Sequence, residues 1–182
     1  MTALPSGKLT VDEFLAWAEG RPGRYELFCG SIYARAPERA GHAKVKFAVQ
    51  AVLAAAIDLA RAPCHMLPDG MTVRIDKDTA HEPDALVYCG PEVPPHVVEI
   101  ANPVIVVEVL SPSTRHIDAA AKLVSYIQVP SVHHYIIVDP EQRPTLHHRR
   151  QADGTFLTRI VAGGRLRLDP PGIGVDVTSF FS

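Results

Sequence analysis

The sequence predicts an α/β (α+β) fold, a mixed central β-sheet flanked by helices, and three observations support that prediction. Apolar residues recur at three- and four-residue steps between residues 42 and 60, the period of an amphipathic helix. Residues 103–110 read Pro-Val-Ile-Val-Val-Glu-Val-Leu, an apolar β-branched run that is typical of a strand buried on both faces. Along the chain the predicted elements follow the order helix, strands, helix, strand, which indicates a layered fold containing both element types.

The shorter elements are predicted from capping, turn and alternation signals. Thr10 followed by Glu13 is a capping-box pattern, so a helix is expected over residues 9–18. Two strands joined by a glycine turn are expected to form a hairpin, over residues 24–28 and 31–34. Further strands are expected over residues 71–75, 83–88, 133–138, 145–149, 156–161 and 166–168.

A third helix is predicted directly after the long apolar strand. Ser111-Pro112-Ser113-Thr114 ends that strand and caps a helix from about residue 115 to residue 128. Four apolar residues at helical spacing would form its core stripe, namely Ile117, Ala121, Val124 and Ile127.

Composition indicates one globular domain. With 182 residues, of which 47% are hydrophobic and 21% charged, the chain can build one core of ordinary composition. A single domain is expected over residues 1–182, with its core over about 24–150 and with residues 151–182 as a sheet extension or dimer surface. The net charge of -2 provides no general attraction for nucleic acid, which counts against a broadly DNA-coating protein.

The cysteines and the N-terminal residues indicate in which cellular compartment the protein is expected. Cys29, Cys64 and Cys89 are odd in number and lack CxxC spacing, so neither a disulfide framework nor a zinc ribbon is indicated. The chain does not open on a basic segment followed by an apolar one, and no apolar run approaches membrane-spanning length. A cytoplasmic location is therefore expected.

Two carboxylates on predicted buried strands are the first candidates for chemistry. Glu108 lies near the end of the run at 103–110, and Asp84 stands at the head of the strand at 83–88. An unpaired buried carboxylate is costly, so each must be neutral, ion-paired or bound to a cation. The pair could hold a hard cation such as Mg²⁺, with the carbonyl of Val109 as a third oxygen ligand. The alternative is structural: Asp84 caps a strand and Glu108 pairs with an arginine or lysine.

Lys122 is the next candidate, about two turns into the helix that follows Glu108. It could form an i,i+4 ion pair with Asp118, worth about 0.3–0.5 kcal/mol. It could instead direct its ammonium at a water molecule or a scissile phosphate. Tyr126, one turn further along, shares that face of the helix.

A local basic excess lies near the start of the chain. Residues 21–46 contain six basic residues against Glu26 and Glu38, an excess of 6 − 2 = +4. Such an excess could attract phosphates, although a solvated basic face is the commoner explanation. From the local pattern alone, Glu26 is a solvated strand carboxylate and His42 is a surface residue at the start of a helix.

The paired histidines and the common catalytic and nucleotide-binding motifs indicate no further functional site. His133-His134 and His147-His148 lie on predicted strands, where adjacent side chains point to opposite faces and cannot share one metal, so we interpret them as structural. The sequence contains no GxSxG, Walker or GxGxxG motif.

A set of short motifs in a fixed order resembles a known family. In chain order the motifs are Arg24-Tyr25-Glu26-Leu27, Gly30, Ile32-Tyr33, His42, Pro83-Asp84, Val87, Val107-Glu108-Val109-Leu110-Ser111-Pro112-Ser113-Thr114, Asp118, Lys122-Leu123, Tyr126, Val132, Tyr135 and Ile137-Val138-Asp139-Pro140. Over about residues 9–150 the chain resembles the Uma-type putative restriction endonuclease family, within the PD-(D/E)xK nuclease superfamily. The order of many parts makes this resemblance more specific than any single motif.

The resemblance implies a restriction-endonuclease-like core, in which a mixed sheet is flanked by helices and the active site lies on the central strands. It also implies Mg²⁺-dependent phosphodiester hydrolysis, with Asp84 and Glu108 as metal ligands and Glu26 as an additional acidic residue. The superfamily lysine normally follows the acid by two positions, where this chain has Leu110. The resemblance implies that Lys122, on the following helix, is its migrated substitute.

The resulting hypothesis is a Mg²⁺-dependent DNA endonuclease in which Mn²⁺ can substitute. In this hypothesis Lys122 positions or activates water, Glu26 tunes the site or binds a second metal, and His42 and Arg115 contact phosphates. A homodimer is expected by analogy with enzymes that cut both strands. The alternative is a nuclease fold retained as a non-catalytic binding or interaction module, which the displaced lysine and the nearly neutral charge favour.

Overall fold

The computed structural model describes residue 5, residues 7–111 and residues 118–182, without the side chains of residues 118 and 119. Its helices are α1 (Val11–Ala18), α2 (Ala40–Ala60), α3 (Asp118–Tyr126) and a 3₁₀ helix (Val177–Phe181). Its strands are β1 (Tyr25–Phe28), β2 (Ser31–Ala34), β3 (Cys64–Pro68), β4 (Val73–Arg74), β5 (Ala80–His81), β6 (Ala85–Cys89), β7 (Pro103–Val109), β8 (His134–Val138), β9 (Thr145–Arg150), β10 (Phe156–Val161), β11 (Arg165–Leu168) and β12 (Ile173–Asp176). Within these described ranges, no helix combines the length and apolar character needed to cross a membrane.

A six-stranded mixed sheet forms the centre of the fold, in the strand order β10-β9-β8-β7-β6-β3. β7 and β8 run parallel, and the other neighbours in this sheet pair antiparallel. The connection between the two parallel strands contains α3, because parallel neighbours need a crossover rather than a tight turn. The predicted mixed sheet with flanking helices is confirmed.

Apolar side chains cover both faces of the central sheet, which explains why β7 is a continuous β-branched run rather than an alternating one. Val107 of β7 belongs to a buried cluster with Val49 and Leu53 of α2. Its neighbour Val106 belongs to a separate cluster that contains Tyr126 of α3. Successive residues of β7 therefore face α2 and α3 in turn.

A second sheet, in the order β2-β1-β5-β4, carries the predicted hairpin and α1. Gly30 in the hairpin turn has φ 74°, the left-handed conformation that favours glycine. Thr10 and Glu13 form the predicted capping box at the start of α1. Val11 and Phe14 then bury the inner face of the helix in a third apolar cluster.

The buried side of α3 differs from the predicted apolar stripe. Val124, expected in the core, is 57% exposed, and Ile117 lies outside the described residues. The buried side carries Lys122, Ser125 and Tyr126 instead. The prediction was wrong at Val124, whereas Ala121 and Ile127 are half-buried. The difference arises because α3 covers a polar part of the sheet, where an ammonium and a phenol find hydrogen-bond partners.

The cysteines also differ from expectation, because Cys64 and Cys89 form a disulfide. The antiparallel register of β3 and β6 places the two residues directly opposite each other, with 3.8 Å between their Cα atoms. The remaining cysteine, Cys29, is exposed and accounts for the odd number of cysteines in the chain. A separation of 25 residues gave no signal of this bond, since only strand pairing brings the two sulfurs together.

The segment after residue 150 divides between two sheets. β10 pairs with β9 at the edge of the central sheet. β11 pairs with β12, a strand that the sequence pattern did not indicate. Leu168 and Ile173 of this hairpin are fully buried in the cluster with α2. The dimer surface assigned to this segment stays a prediction.

Two histidines of neighbouring strands are hydrogen-bonded to each other in the core. His134 Nδ1 and His147 Nε2 are 2.8 Å apart, and the two rings stack with centroids 5.0 Å apart. Burial, together with the neighbouring ring, lowers the pKa of His134 to about 3. Burial likewise lowers the pKa of His147 to about 4. Both rings are therefore neutral at neutral pH.

Acid is expected to destabilise the fold through this histidine pair. The pKa values of both rings in the folded chain lie below the ordinary value of about 6.5, so below that pH the unfolded chain takes up protons that the folded chain does not. The free energy of unfolding should fall as the pH drops from about 6.5 towards 4, by up to about 1.4 kcal/mol per pH unit for each histidine. Urea titrations across this range should show a shallower fall for the double variant His134→Leu/His147→Leu. His96→Gln, at an exposed position, should keep the wild-type slope, and a double variant with that same slope would contradict the assignment.

Candidate active site

Glu26, Glu108 and Lys122 come from three different elements and meet at one point. Glu26 lies on β1, Glu108 near the end of β7 and Lys122 in the middle of α3. The Nζ of Lys122 donates to Oε1 of Glu26 at 2.9 Å and to Oε1 of Glu108 at 3.1 Å. All three side chains are nearly buried, with exposures of 12%, 8% and 6%. Because Glu108 lies two positions after Val106, it points to the side of the sheet that α3 covers.

Asp84 is held against the same end of β7 by backbone hydrogen bonds. It directly precedes β6, and its N–H donates to the carbonyl of Val107 at 3.0 Å. Its Oδ2 accepts the N–H of Val109 at 2.8 Å. These two β7 residues flank Glu108, so the antiparallel pairing of β6 with β7 brings both predicted ligand carboxylates to one end of the strand.

Two further side chains complete the carboxylate cluster, and sequence reasoning assigned neither a role in it. Nη2 of Arg35 donates to Oδ1 of Asp84 at 3.0 Å, and Nη1 lies 3.8 Å from Oε1 of Glu26. Tyr126 is fully buried, and its hydroxyl donates to Oε1 of Glu108 at 2.9 Å. The only signal for Arg35 was the local basic excess, and the only signal for Tyr126 was its place on one helix face with the lysine.

His81 lies next to this cluster, on β5. Its ring centroid is 5.6 Å from that of Tyr126 and 6.2 Å from that of Phe28. Burial lowers the pKa of His81 to about 4, so its ring is neutral at neutral pH. Among the described residues, neither of its ring nitrogens has a hydrogen-bond partner.

Burial and neighbouring charges control the ionisation of the two glutamates. Burial, which Lys122 offsets only in part, and the negative charges of Asp84 and Glu26 raise the pKa of Glu108 to about 7. Burial also opposes the ionisation of Glu26, but Lys122 and Arg35 outweigh it and hold the pKa of Glu26 below its ordinary value. At neutral pH Glu26 is therefore ionised, whereas Glu108 holds a proton more readily than an ordinary glutamate.

The charges and donor atoms of the site fit a hard divalent cation. Three carboxylates (Glu26, Asp84 and Glu108) face two basic side chains (Arg35 and Lys122), so the fully ionised cluster carries one uncompensated negative charge. Mg²⁺ takes oxygen ligands, usually one or two carboxylates with waters completing the octahedron. In the part of the chain that the structure describes, no three His, Cys, Asp or Glu side chains form a metal cluster. Asp84 and Glu108 could contribute two carboxylates to such an ion, with waters as the remaining ligands.

The remaining predicted site residues are placed as follows. Nε2 of His42 lies 2.8 Å from the carbonyl oxygen of Val109 and 3.8 Å from Oδ2 of Asp84, so His42 is a buried neighbour of the site rather than a surface residue. The carbonyl of Val109 keeps a second lone pair with which it could bind a cation. Arg115 and the side chain of Asp118 lie outside the described residues.

Part of the local basic excess is internal rather than a solvated face. Nε of Arg24 donates to Glu82 at 3.1 Å, and a second nitrogen of Arg24 contacts Asp69. Lys46 lies 2.9 Å from the same aspartate and also contacts Glu38. Arg24 and Lys46 thus tie the hairpin and α2 together through acids.

Comparison with known proteins identifies a family and a fold. The model of the Uma2 family, described as "Putative restriction endonuclease", matches residues 11–178. An uncharacterized protein of Synechocystis sp. is 27% identical over 175 residues, which cover 95% of this chain and 91% of that protein. The crystal structure of a putative nuclease of Anabaena variabilis, described as belonging to DUF820, has the same fold, with a TM-score of 0.76 over 95% of this chain and 97% of that chain at 14% identity. The family match spans most of the sequence and confirms the resemblance, and the chain therefore belongs to the Uma2 family.

Proposed function

We propose that this protein is a Mg²⁺-dependent endonuclease that hydrolyses phosphodiester bonds of DNA, and that Mn²⁺ can replace Mg²⁺. The observation that carries the proposal is the convergence of Lys122 with Glu26 and Glu108, beside Asp84. Carboxylates that can hold a cation, next to an ammonium, are the groups that phosphoryl chemistry requires. The family description and the fold shared with a protein described as a nuclease support this choice of substrate.

In this proposal Asp84 and Glu108 hold the cation, with the carbonyl of Val109 as a further oxygen. A bound Mg²⁺ supplies a water of lowered pKa and stabilises negative charge on a phosphoryl oxygen. Tyr126 fixes the orientation of Glu108 through its hydroxyl, and the N–H of Val109 does the same for Asp84. The carboxylates are therefore oriented before substrate arrives, which reduces the reorganisation that the reaction needs.

Lys122 has a separate task. Its ammonium is anchored by Glu26 and Glu108, so it is held beside the proposed cation site, where it can position water or donate to developing negative charge. Arg115 would contact phosphates of the DNA, whereas His42 is buried against the carbonyl of Val109. A homodimer would bring one such site to each strand of a duplex.

Cleavage of supercoiled plasmid and of single-stranded DNA, with Mg²⁺ or Mn²⁺, tests the proposal. The wild type should cleave only when the cation is present. Asp84→Asn keeps the size of the side chain but removes its charge, and we expect a rate at least about a hundredfold lower. The matched control is Asp58→Asn, at an exposed position of α2, which should cleave like the wild type.

The second candidate function is a nuclease fold retained as a binding or interaction module. One observation favours it: Asp84 and Glu108 are already paired with Arg35 and Lys122, so both buried carboxylates persist without a cation. Calorimetry with Mn²⁺ separates the two candidates. A wild type that neither binds Mn²⁺ nor cleaves either substrate would exclude the endonuclease and leave the binding module.

A further inference from the structure

We propose that Arg35 is an internal counter-ion of the site that competes with a divalent cation for Asp84 and so sets how tightly the cation binds. This inference rests on the proposed cation site and names a residue that regulates it. Arg35 directly follows β2, and its backbone N–H donates to the carbonyl of Arg24 at 2.9 Å. The hairpin backbone thereby anchors the base of the side chain.

The guanidinium of Arg35 contacts acids from two elements. Nη2 donates to Oδ1 of Asp84 at 3.0 Å, and Nη1 lies 3.8 Å from Oε1 of Glu26. Nη1 also donates to the backbone carbonyl of Glu82. Arg35 is 21% exposed and Asp84 is 1% exposed, so the arginine reaches solvent where the carboxylate does not.

Both oxygens of Asp84 are already engaged. Oδ2 accepts the N–H of Val109, and Oδ1 accepts the guanidinium of Arg35. A divalent cation bound to Oδ1 of Asp84 must therefore share that oxygen with the guanidinium or displace it, and a cation bound to the second lone pair of Oδ2 would still face the guanidinium across the same carboxylate. Two positive groups at one buried carboxylate repel each other, and the repulsion is weakly screened away from bulk water.

Arg35 consequently has two opposite effects. Without a cation it compensates the charge of Asp84, and removing one partner of a buried ion pair is destabilising. With a cation present it opposes binding by its charge. A merely structural arginine would show the first effect without the second, which makes the inference testable by binding rather than by activity.

Arg24 provides a matched control. It is also an arginine next to the hairpin, and its side chain is 30% exposed, close to the 21% of Arg35. Its described ion pairs are with Glu38, Asp69 and Glu82 rather than with Asp84. Arg24→Met therefore removes the same charge from the neighbourhood without releasing the proposed ligand.

The test is Mn²⁺ binding by calorimetry, together with thermal unfolding with and without Mn²⁺, for the wild type, Arg35→Met and Arg24→Met. Arg35→Met should bind Mn²⁺ at least about tenfold more tightly than the wild type, equivalent to about 1.4 kcal/mol. It should unfold at a lower temperature than the wild type without Mn²⁺ and gain more from added Mn²⁺, because a ligand that binds the folded state stabilises it. Arg24→Met should bind Mn²⁺ within about threefold of the wild type, about 0.7 kcal/mol.

The outcomes separate this inference from the proposed function. If the wild type binds Mn²⁺ and Arg35→Met binds it equally or more weakly, Arg35 is not a competitor and the proposed cation site stands. If neither protein binds Mn²⁺, the cation site is wrong and both proposals fall. Should Arg35→Met not fold, Arg35→Gln replaces it, because glutamine removes the charge while its amide can still donate a hydrogen bond to Asp84. That variant should bind Mn²⁺ more tightly than the wild type, and unchanged binding would overturn the inference.

Discussion

Lys122→Met is expected to inactivate the protein and to destabilise it at the same time. Methionine retains an apolar stem but removes the ammonium that Glu26 and Glu108 share at 2.9 and 3.1 Å. Removing one partner of a buried ion pair typically costs about 3–5 kcal/mol, since the other charge is left uncompensated. Loss of the positioned ammonium should also slow DNA cleavage by about a hundredfold or more.

Urea unfolding and plasmid cleavage measure the two effects of this substitution separately. Lys44→Met, at an exposed position of α2, is the matched control and should change neither quantity. Lys122→Arg retains the charge, so it should recover much of the stability while its different geometry leaves cleavage impaired. If Lys122→Met unfolds at the wild-type urea concentration, the lysine does not hold the two glutamates together. If it cleaves at the wild-type rate, its proposed role is wrong.

Glu108→Gln is expected to combine lost activity with unchanged or increased stability at alkaline pH. The pKa of Glu108 is raised from 4.5 to about 7, so between these values the folded chain holds a proton that the unfolded chain has lost. In the absence of a cation, the stability that this proton contributes is fully present below pH 4.5 and is lost as the pH rises towards about 7. Glutamine cannot ionise, yet its amide oxygen still accepts hydrogen bonds from Lys122 and Tyr126.

Urea titrations without divalent cation, near pH 5 and near pH 8, test this expectation. At about pH 8 the Glu108→Gln variant should be at least as stable as the wild type, and near about pH 5 its stability relative to the wild type should be lower than at about pH 8. Cleavage with Mg²⁺ should fall about a hundredfold or more because the ligand charge is gone. Glu92→Gln, at an exposed position, controls for the change in net charge. A Glu108→Gln variant less stable than the wild type at the higher pH would show that the buried carboxylate is stabilising when ionised.

Those fold features that could be predicted have local causes. Three such features are the capping box of α1, the recurrence of apolar residues every three or four positions along α2, and the glycine turn between β1 and β2. All of them depend on residues within a few positions of one another. The run at β7 was predictable as a strand because a strand covered on both faces needs no polar residues. Each of these features is encoded where it occurs.

The features that could not be predicted depend on partners from distant parts of the chain. Val124 has the spacing of a core residue, but α3 turns Lys122 and Tyr126 inwards because the sheet beneath presents Glu108. Cys64 and Cys89 meet only through the register of two strands. Hydrophobic periodicity takes no account of such partners.

The residues of the candidate site likewise divide into those that the sequence motifs indicate and those that only the packing reveals. The motif order drew attention to Glu26, Asp84, Glu108 and Lys122, and the structure brings these four side chains to one end of β7. Arg35 carried no distinguishing signal, because a basic residue after a hairpin is most often solvated. Its contact with Asp84 depends on how the hairpin lies against β6 and β7, which tertiary packing decides.

The sequence by itself therefore determined most of the helices and strands, the class of the sheet and the acids and lysine that resemble those of a nuclease family, because these follow from short-range patterns and motif order. Tertiary structure alone decided which basic side chain neutralises which carboxylate. Arg35 pairs with Asp84 and Lys122 with Glu26 and Glu108, across separations of up to 96 residues. Charge pairing acts through space over a few ångströms, and the chain positions that come within that distance are set by the packing of the hairpin, the central sheet and α3.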